Sequence, residues 1–354
     1  QDGDVRVAFD LFFRSVPDKG GYAVFAGLEH VIEFVENLAF SDEDIDYFRQ
    51  QKLFSEEFLT FLRGFHFRGD IYAVPEGTII YPDEPLLTIV APIIDAQLIE
   101  TAILAQINHQ SLIATKASRI VRAAEGRCVS DFGARRAHNM DAATYGARAA
   151  YIGGVDMTAT VSAGQQFGIP ISGTMAHSWV MFFEDEFTAF YAEIYPQATV
   201  LLVDTYDVIH SGIPNAVRTA HEVLEPQGHR LVGVRIDSGD LAYLSKRIRT
   251  MLDDAGLADC KIILSNSLDE FTISSLLLQG ASVDSFGVGE RLITAKSDPV
   301  FGAVYKLVAV EKDGVFTPRI KMSENVEKLT NPGLKDLYRI YDSHGKAVAD
   351  MLAM

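Results

Sequence analysis

The chain has 354 residues, nearly half of them hydrophobic, enough for a large core and for two domains or a barrel with a smaller unit. Its net charge of −17 argues against wrapping nucleic acid or sitting on an anionic membrane, because both need a cationic surface. Cys128 and Cys260 lie far apart without histidines at metal spacing, so neither a disulfide framework nor a zinc site is indicated, and a reducing cytoplasm is the expected home. No apolar run approaches the ~20 residues needed to span a bilayer. The chain opens on Gln1 without a secretory h-region and is expected to begin inside a longer natural protein.

Residues 4–13 are apolar and aromatic enough for a strand, which the stretch Val-Pro-Asp-Lys-Gly-Gly at 16–21 breaks. Leu28, Ile32, Val35 and Leu38 recur at helical spacing. Ser41 and Ser55, each followed by acids, mark two further helix starts. Between 65 and 92, short strands interrupted by Pro75, Gly77, Pro82 and Pro85 predict a compact β unit. Asp95 starts a long helical stretch to about Val121, with Leu98, Ala102 and Ala105 in one apolar row and Ile99, Ile103 and Ile107 in another. From Cys128 to about Val310, strands alternate with helices. Beyond the turn at Asp313 and Gly314, residues 319–321 and 337–341 are candidate strands.

Within the alternating region one layout recurs: an apolar strand ends, small polar residues follow, and a helical pattern starts. It occurs where 169–171 meets Ser172, 200–203 meets Asp204, 231–234 meets Arg235, 262–264 meets Ser265, and 283–286 meets Gly287. Such alternation implies parallel βαβ units, and in barrels built from them the loops after the strands gather at one end. The rim segments are therefore expected to face one cavity. Residues 235–240, Arg-Ile-Asp-Ser-Gly-Asp, carry the clearest chemistry. Ser238 and Gly239 can turn backbone N–H groups toward phosphate oxygens, and Arg235 adds a planar cationic fork. Asp237 can accept from ribose hydroxyls, help hold Mg²⁺ over a diphosphate, or stabilise a cationic sugar carbon. A capped surface helix is the plain alternative for this segment. Downstream, Gly287 and Gly289 allow close backbone approach, while Ser265 and Asn266 offer a hydroxyl and an amide. Asp204 and Asp207 also end a strand, without an assigned role.

Five motifs stand in order: Asp-Phe-Gly-Ala-Arg-Arg at 131–136, Tyr-Ile-Gly-Gly-Val-Asp at 151–156, Gly-Thr-Met-Ala-His-Ser at 173–178, the 235–240 segment, and Gly-Val-Gly at 287–289. With Ala-Val-Pro-Glu-Gly and Glu-Pro-Leu-Leu inside 71–92, the chain resembles the nicotinate phosphoribosyltransferase family over almost its whole length. The resemblance implies an irregular (β/α) barrel of the type II phosphoribosyltransferase kind with a smaller α+β domain. The expected division is an amino-terminal α+β domain over 1–122, the barrel over 123–310, and a carboxy-terminal segment over 311–354 packing on the first domain. It further implies transfer of phosphoribose from 5-phosphoribosyl 1-diphosphate to nicotinate, release of diphosphate, coupled ATP hydrolysis, Mg²⁺ accompanying the diphosphate, and a homodimer with shared active sites.

The same resemblance gives each matching residue a role. Arg135 is the candidate contact for an anionic ligand, and Arg136 braces it or reaches the diphosphate. Phe132 stacks on the pyridine ring or is simply core. Asp156 touches the ring or ribose, Thr174 supplies a hydroxyl, and Arg235 contacts ligand. His177 matches the histidine that the family phosphorylates transiently from ATP; a helix amino end favours neutral imidazole, the form able to attack phosphorus. Two departures stand out. Glu290 follows Gly-Val-Gly where the family usually has threonine, and a carboxylate there opposes phosphate unless it turns away. The family's amino-terminal segment, whose aromatic residue serves the partner subunit's nicotinate site, has no counterpart here; were Gln1 the natural start, ring affinity should suffer.

Other readings are weaker on the same residues. Nicotinamide-using relatives usually have glycine after the first motif arginine, whereas Arg136 follows Arg135 here and favours a carboxylate substrate. Quinolinate enzymes lack the histidine segment. An aldolase or isomerase barrel usually wants a lysine or an acid–base pair at a strand end, and the five strand ends read above supply no lysine. A non-catalytic descendant has no reason to keep His177, Arg235 and Asp237 together.

Overall fold

The computed structural model describes residues 2–192, 199–322 and 330–354, and the chain divides into two compact units. One comprises residues 1–112 and 300–354, the other residues 113–299. The first boundary falls inside the helix Glu100–Ala123.

In the first unit, β1 (Arg6–Phe12) is buried along all but its first residue, as its apolar composition requires. The following strands are β2 (Ala23–Val24), β3 (Asp70–Ala73), β4 (Ile79–Ile80) and β5 (Leu87–Pro92). β1 lies between β5 and the strand Val304–Lys312, antiparallel to both; β3 and the strand Val315–Pro318 complete a five-stranded sheet. Asp10 is buried in β1, where it accepts from Thr88 and pairs with Lys335, so a carboxy-terminal residue closes over the central strand. The helix Leu28–Asn37 buries Val31 and Val35, while Ile32 points to solvent. Ser41 and Ser55 cap the two helices that follow, Ser41 in a full capping box. The expected strand at 319–321 does not form: Pro318 ends the strand before it, and the next hairpin pairs Asp336–Tyr341 with Ala347–Ala353.

The second unit carries a parallel sheet of six strands: β6 (Cys128–Asp131), β7 (Met157–Thr158), β8 (Val200–Leu202), β9 (Gly233–Ile236), β10 (Lys261–Leu264) and β11 (Ser285–Val288), in the order β7-β6-β11-β10-β9-β8. Helices connect successive strands, the βαβ arrangement of an irregular α/β barrel. Three local readings are corrected. Residues 169–171 form only a single bridge, Ile171 to Thr158. β9 and β11 run two residues past the expected strand ends, so Arg235 sits within a strand with parallel partners on both sides, and Gly287 within one paired to Ser130 of β6. The helix expected over 178–190 is broken into His177–Phe182 and Glu186–Ala192, because the Asp185 carboxylate accepts from the Thr188 N–H and hydroxyl and starts a new helix.

Candidate active site

The parallel strands β6, β9, β10 and β11 all end beside one polar cavity, lined by Phe132, Arg135, Arg136, Arg235, Asp237, Ser265, Asn266, Ser267, Gly287, Gly289 and Glu290. Asp131, the last residue of β6, is fully buried and sets its first turn: it accepts from the Gly133 N–H and the Thr158 hydroxyl. Burial pushes its carboxyl above the usual range. Those bonds seat the Phe132 ring against Gly287, where a Cβ would stand 2.4 Å from the ring. Glycine is therefore the residue that lets Phe132 face the cavity from β6 while β11 passes behind it.

Arg235 lies over the Phe132 ring, its guanidinium carbon 5.4 Å from the centroid. Its Nε donates to Ser265 Oγ at 2.8 Å, Nη1 to Thr174 Oγ1 at 2.6 Å, and Nη2 pairs with Asp237 Oδ1 at 3.0 Å. The Ser265 hydroxyl in turn donates a hydrogen bond to Asp237 Oδ1 at 2.6 Å. Arg235 is thus fixed on every side and presents a set orientation to a ligand. Arg135, in contrast, is exposed and has no hydrogen-bond or ion-pair partner among the described residues. Asn266 and Ser267 both adopt positive φ, 94° and 50°, a local strain held at the cavity wall.

His177 begins a six-residue helix and lies two hydrogen bonds from this wall, through Asp204. Its Nε2 meets Asp204 Oδ1 at 3.1 Å, and Asp204 Oδ2 accepts from the Asp237 N–H at 2.9 Å and the Ser238 hydroxyl at 2.5 Å. Asp204 is buried, with 1% of its side chain exposed, so it joins the histidine rigidly to the segment after β9. Gly239, at φ 81°, completes that turn, and Asp240 caps the next helix through the Tyr243 N–H.

Ser238, Gly239, Thr174 and His177 therefore stand behind or beside the cavity rather than on its lining, connected to it through Asp204 and Arg235. Asp156 is a correction. It lies before β7, away from the strand ends, and its carboxylate accepts from the Val129 N–H, closing a backbone pair instead of facing ligand. Asp207 likewise caps the segment after it, accepting from the Ile209 and His210 N–H groups. Asp131 and Ser267 were not singled out by sequence reasoning, and Asp204 carried the strand-end signal without showing what it would join. Glu290 does turn aside: Oε1 meets Lys296 Nζ at 2.6 Å and Oε2 lies 3.7 Å from Arg136 Nε.

Comparison with known proteins decides the family. The family model for the nicotinate phosphoribosyltransferase N-terminal domain matches residues 1–108, and that for the nicotinate phosphoribosyltransferase family matches residues 128–333. The chain belongs to the nicotinate phosphoribosyltransferase family. A relative from Bacillus subtilis with that name is 50% identical over 99% of the chain, which spans 71% of the relative's length. A second, from Mycobacterium tuberculosis, is 48% identical over 76% of the chain, corresponding to 58% of its own length. The crystal structure of human nicotinic acid phosphoribosyltransferase superposes with a TM-score of 0.87 at 30% identity, covering 99% of this chain and 77% of that one. Members of this family are enzymes, and the fold expected from the motifs is the one this chain shares with that structure. Among the described residues, no helix is long and apolar enough to cross a membrane.

Proposed function

We propose that the protein transfers phosphoribose from 5-phosphoribosyl 1-diphosphate to nicotinate, giving nicotinate mononucleotide and diphosphate, in the cytoplasm and in NAD biosynthesis. The observation that carries this reading is the fixed Arg235 over Phe132 in a cavity that also holds Arg135, Arg136 and Asp237. An aromatic face beside guanidinium groups suits an aromatic carboxylate, and the two further arginines suit a diphosphate. As diphosphate departs, positive charge develops on the ribose, so positioning and charge stabilisation dominate over proton transfer. Asp237 is the lining carboxylate assigned to balance that charge. Its Oδ2 accepts no hydrogen bond among the described residues, which fits a single protein contact to Mg²⁺ arriving with the diphosphate.

ATP coupling runs through His177. Asp204 already accepts from the Asp237 amide, so it serves as acceptor for the imidazole as well; Nε2 then donates and Nδ1 keeps its lone pair. Nδ1 attacks the terminal phosphorus of ATP, ADP leaves, and later hydrolysis of the phosphohistidine releases phosphate. The new anionic group lies one residue contact from the Asp237–Ser238 turn and can tighten it through Asp204. A homodimer with shared sites completes the reading. Incubation with the phosphoribosyl donor and nicotinate, nicotinamide or quinolinate, with and without ATP, tests it. Nicotinate mononucleotide formed faster with ATP is expected; a product from either other pyridine in preference refutes it, and a His177→Ala protein that retains nicotinate-dependent ATP hydrolysis refutes the phosphohistidine.

A further inference from the structure

Glu290 stands on the cavity lining, and a carboxylate beside a site for anions needs a reason. Its two oxygens are divided between two cations. Lys296 Nζ holds Oε1 at 2.6 Å, and Arg136 Nε lies 3.7 Å from Oε2, close enough to attract and too far for a hydrogen bond. Lys296 keeps the Glu290 carboxyl below the usual range, with Arg136 and Arg291 adding to the effect. Arg291 is otherwise engaged with Asp269. Glu290 and Lys296 are substantially exposed, 38% and 60% by side chain, so the group is free to exchange partners when an anion enters.

We infer that Glu290 sets the cavity's affinity for anions by screening its cations, drawing Lys296 to its lip and partly neutralising Arg136 so that bound diphosphate stays exchangeable. The inference rests on the phosphoribosyl-transfer reading. When diphosphate binds, Arg136 moves from Glu290 to the phosphate oxygens, and Lys296 offsets the carboxylate left behind. Removing the carboxylate alone leaves Arg136 and Lys296 unscreened and strengthens anion binding. Removing Lys296 alone leaves the carboxylate facing the anion and weakens it. Removing both restores the balance.

The test is titration of the full protein with inorganic diphosphate in the presence of Mg²⁺, by calorimetry at two salt concentrations. Glu290→Gln should tighten diphosphate by about two- to fivefold, the range of a solvent-exposed ion pair, with a steeper salt dependence. Lys296→Met should weaken it by a similar factor, and the double variant should return to within about twofold of the parent. A loop-shaping role for Glu290 would instead make both single variants bind more weakly, which overturns the inference. Unchanged affinity in Glu290→Gln, with a parent that binds diphosphate, also overturns it while leaving the functional reading intact. A parent that does not bind diphosphate overturns both.

Discussion

Replacing Asp204 with asparagine separates the two chemistries assigned to the site. Asp204 is buried and receives three donors: His177 Nε2 on Oδ1, and the Asp237 N–H and Ser238 hydroxyl on Oδ2. In Asp204→Asn the amide oxygen keeps the Oδ2 side, where two donors compete for it, and the NH₂ turns toward His177. Nε2 must then accept, so the proton moves to Nδ1 and the lone pair that attacks phosphorus is lost. A hydrogen bond to a charged group contributes about 1.5–3 kcal/mol, and each ~1.4 kcal/mol is a factor of ten in rate. The bond alone thus accounts for about 10- to 100-fold, and a wrong imidazole tautomer in another catalytic histidine–aspartate pair costs about 10⁴-fold. Phosphorylation of His177, followed by mass after rapid mixing with ATP and an alkaline quench, should fall by at least the first factor. Nicotinate mononucleotide formation without ATP should fall by much less, because the turn after β9 keeps its anchor. Phosphorylation at the parent rate in Asp204→Asn would refute the tautomer reasoning.

Gly287→Ala places a methyl group into the Phe132 ring and should cost about 1–3 kcal/mol of stability by overpacking; chemical denaturation measures this, and a raised KM for nicotinate should accompany it as Phe132 leaves Arg235. Lys116→Met leaves the largely buried Glu270 carboxylate without the ammonium 2.8 Å away and should destabilise the protein by about 3–5 kcal/mol, read from the urea midpoint; a change under about 1 kcal/mol would contradict a buried ion pair there. Glu84 is shifted up to about 7 by burial and by its shared hydrogen bond with Asp350, which Arg339 also holds. A raised acid pKa means the folded state keeps a proton the unfolded chain loses near the ordinary carboxyl value. The contribution is complete below that value and disappears as pH rises through about 7. Asp350, shifted down chiefly by Arg339, acts in the opposite sense and loses its contribution only in acid. Amide exchange in the hairpin built from Asp336–Tyr341 and Ala347–Ala353, corrected for intrinsic rates, should therefore quicken as pH rises from the ordinary carboxyl value of 4.5 to about 7, and Glu84→Gln should flatten that dependence.

The cavity was legible in the sequence because strand-then-polar-loop is a local pattern, and parallel topology brings such loops to one end. Residues 235, 237, 265, 266, 287 and 289 meet there for that reason, whereas 132, 135 and 136 were marked only by the motif resemblance. Strand ends were less legible. Arg235 and Gly287 look like loop residues, yet neighbouring strands supply the backbone partners that extend β9 and β11 over them. Asp156 followed two glycines in a motif, but sequence cannot show that its carboxylate turns to the Val129 N–H. Asp204 illustrates the opposite limit: its position was visible, but the convergence of His177, Asp237 and Ser238 on it joins segments far apart in the chain. The break after Phe182 was missed because Asp185 reads equally well as a residue on a helix surface and as a cap.

A crystal structure of the protein with phosphoribosyl diphosphate and nicotinate bound tests most directly whether these loops form one ligand site. The pyridine ring should lie against Phe132 with its carboxylate within hydrogen-bonding reach of an arginine at 135 or 235, the donor's phosphates should reach the 265–267 and 287–289 segments, and His177 should stay paired with Asp204. A donor bound outside this cavity, or a ring that contacts neither Phe132 nor either arginine, would contradict the assignment.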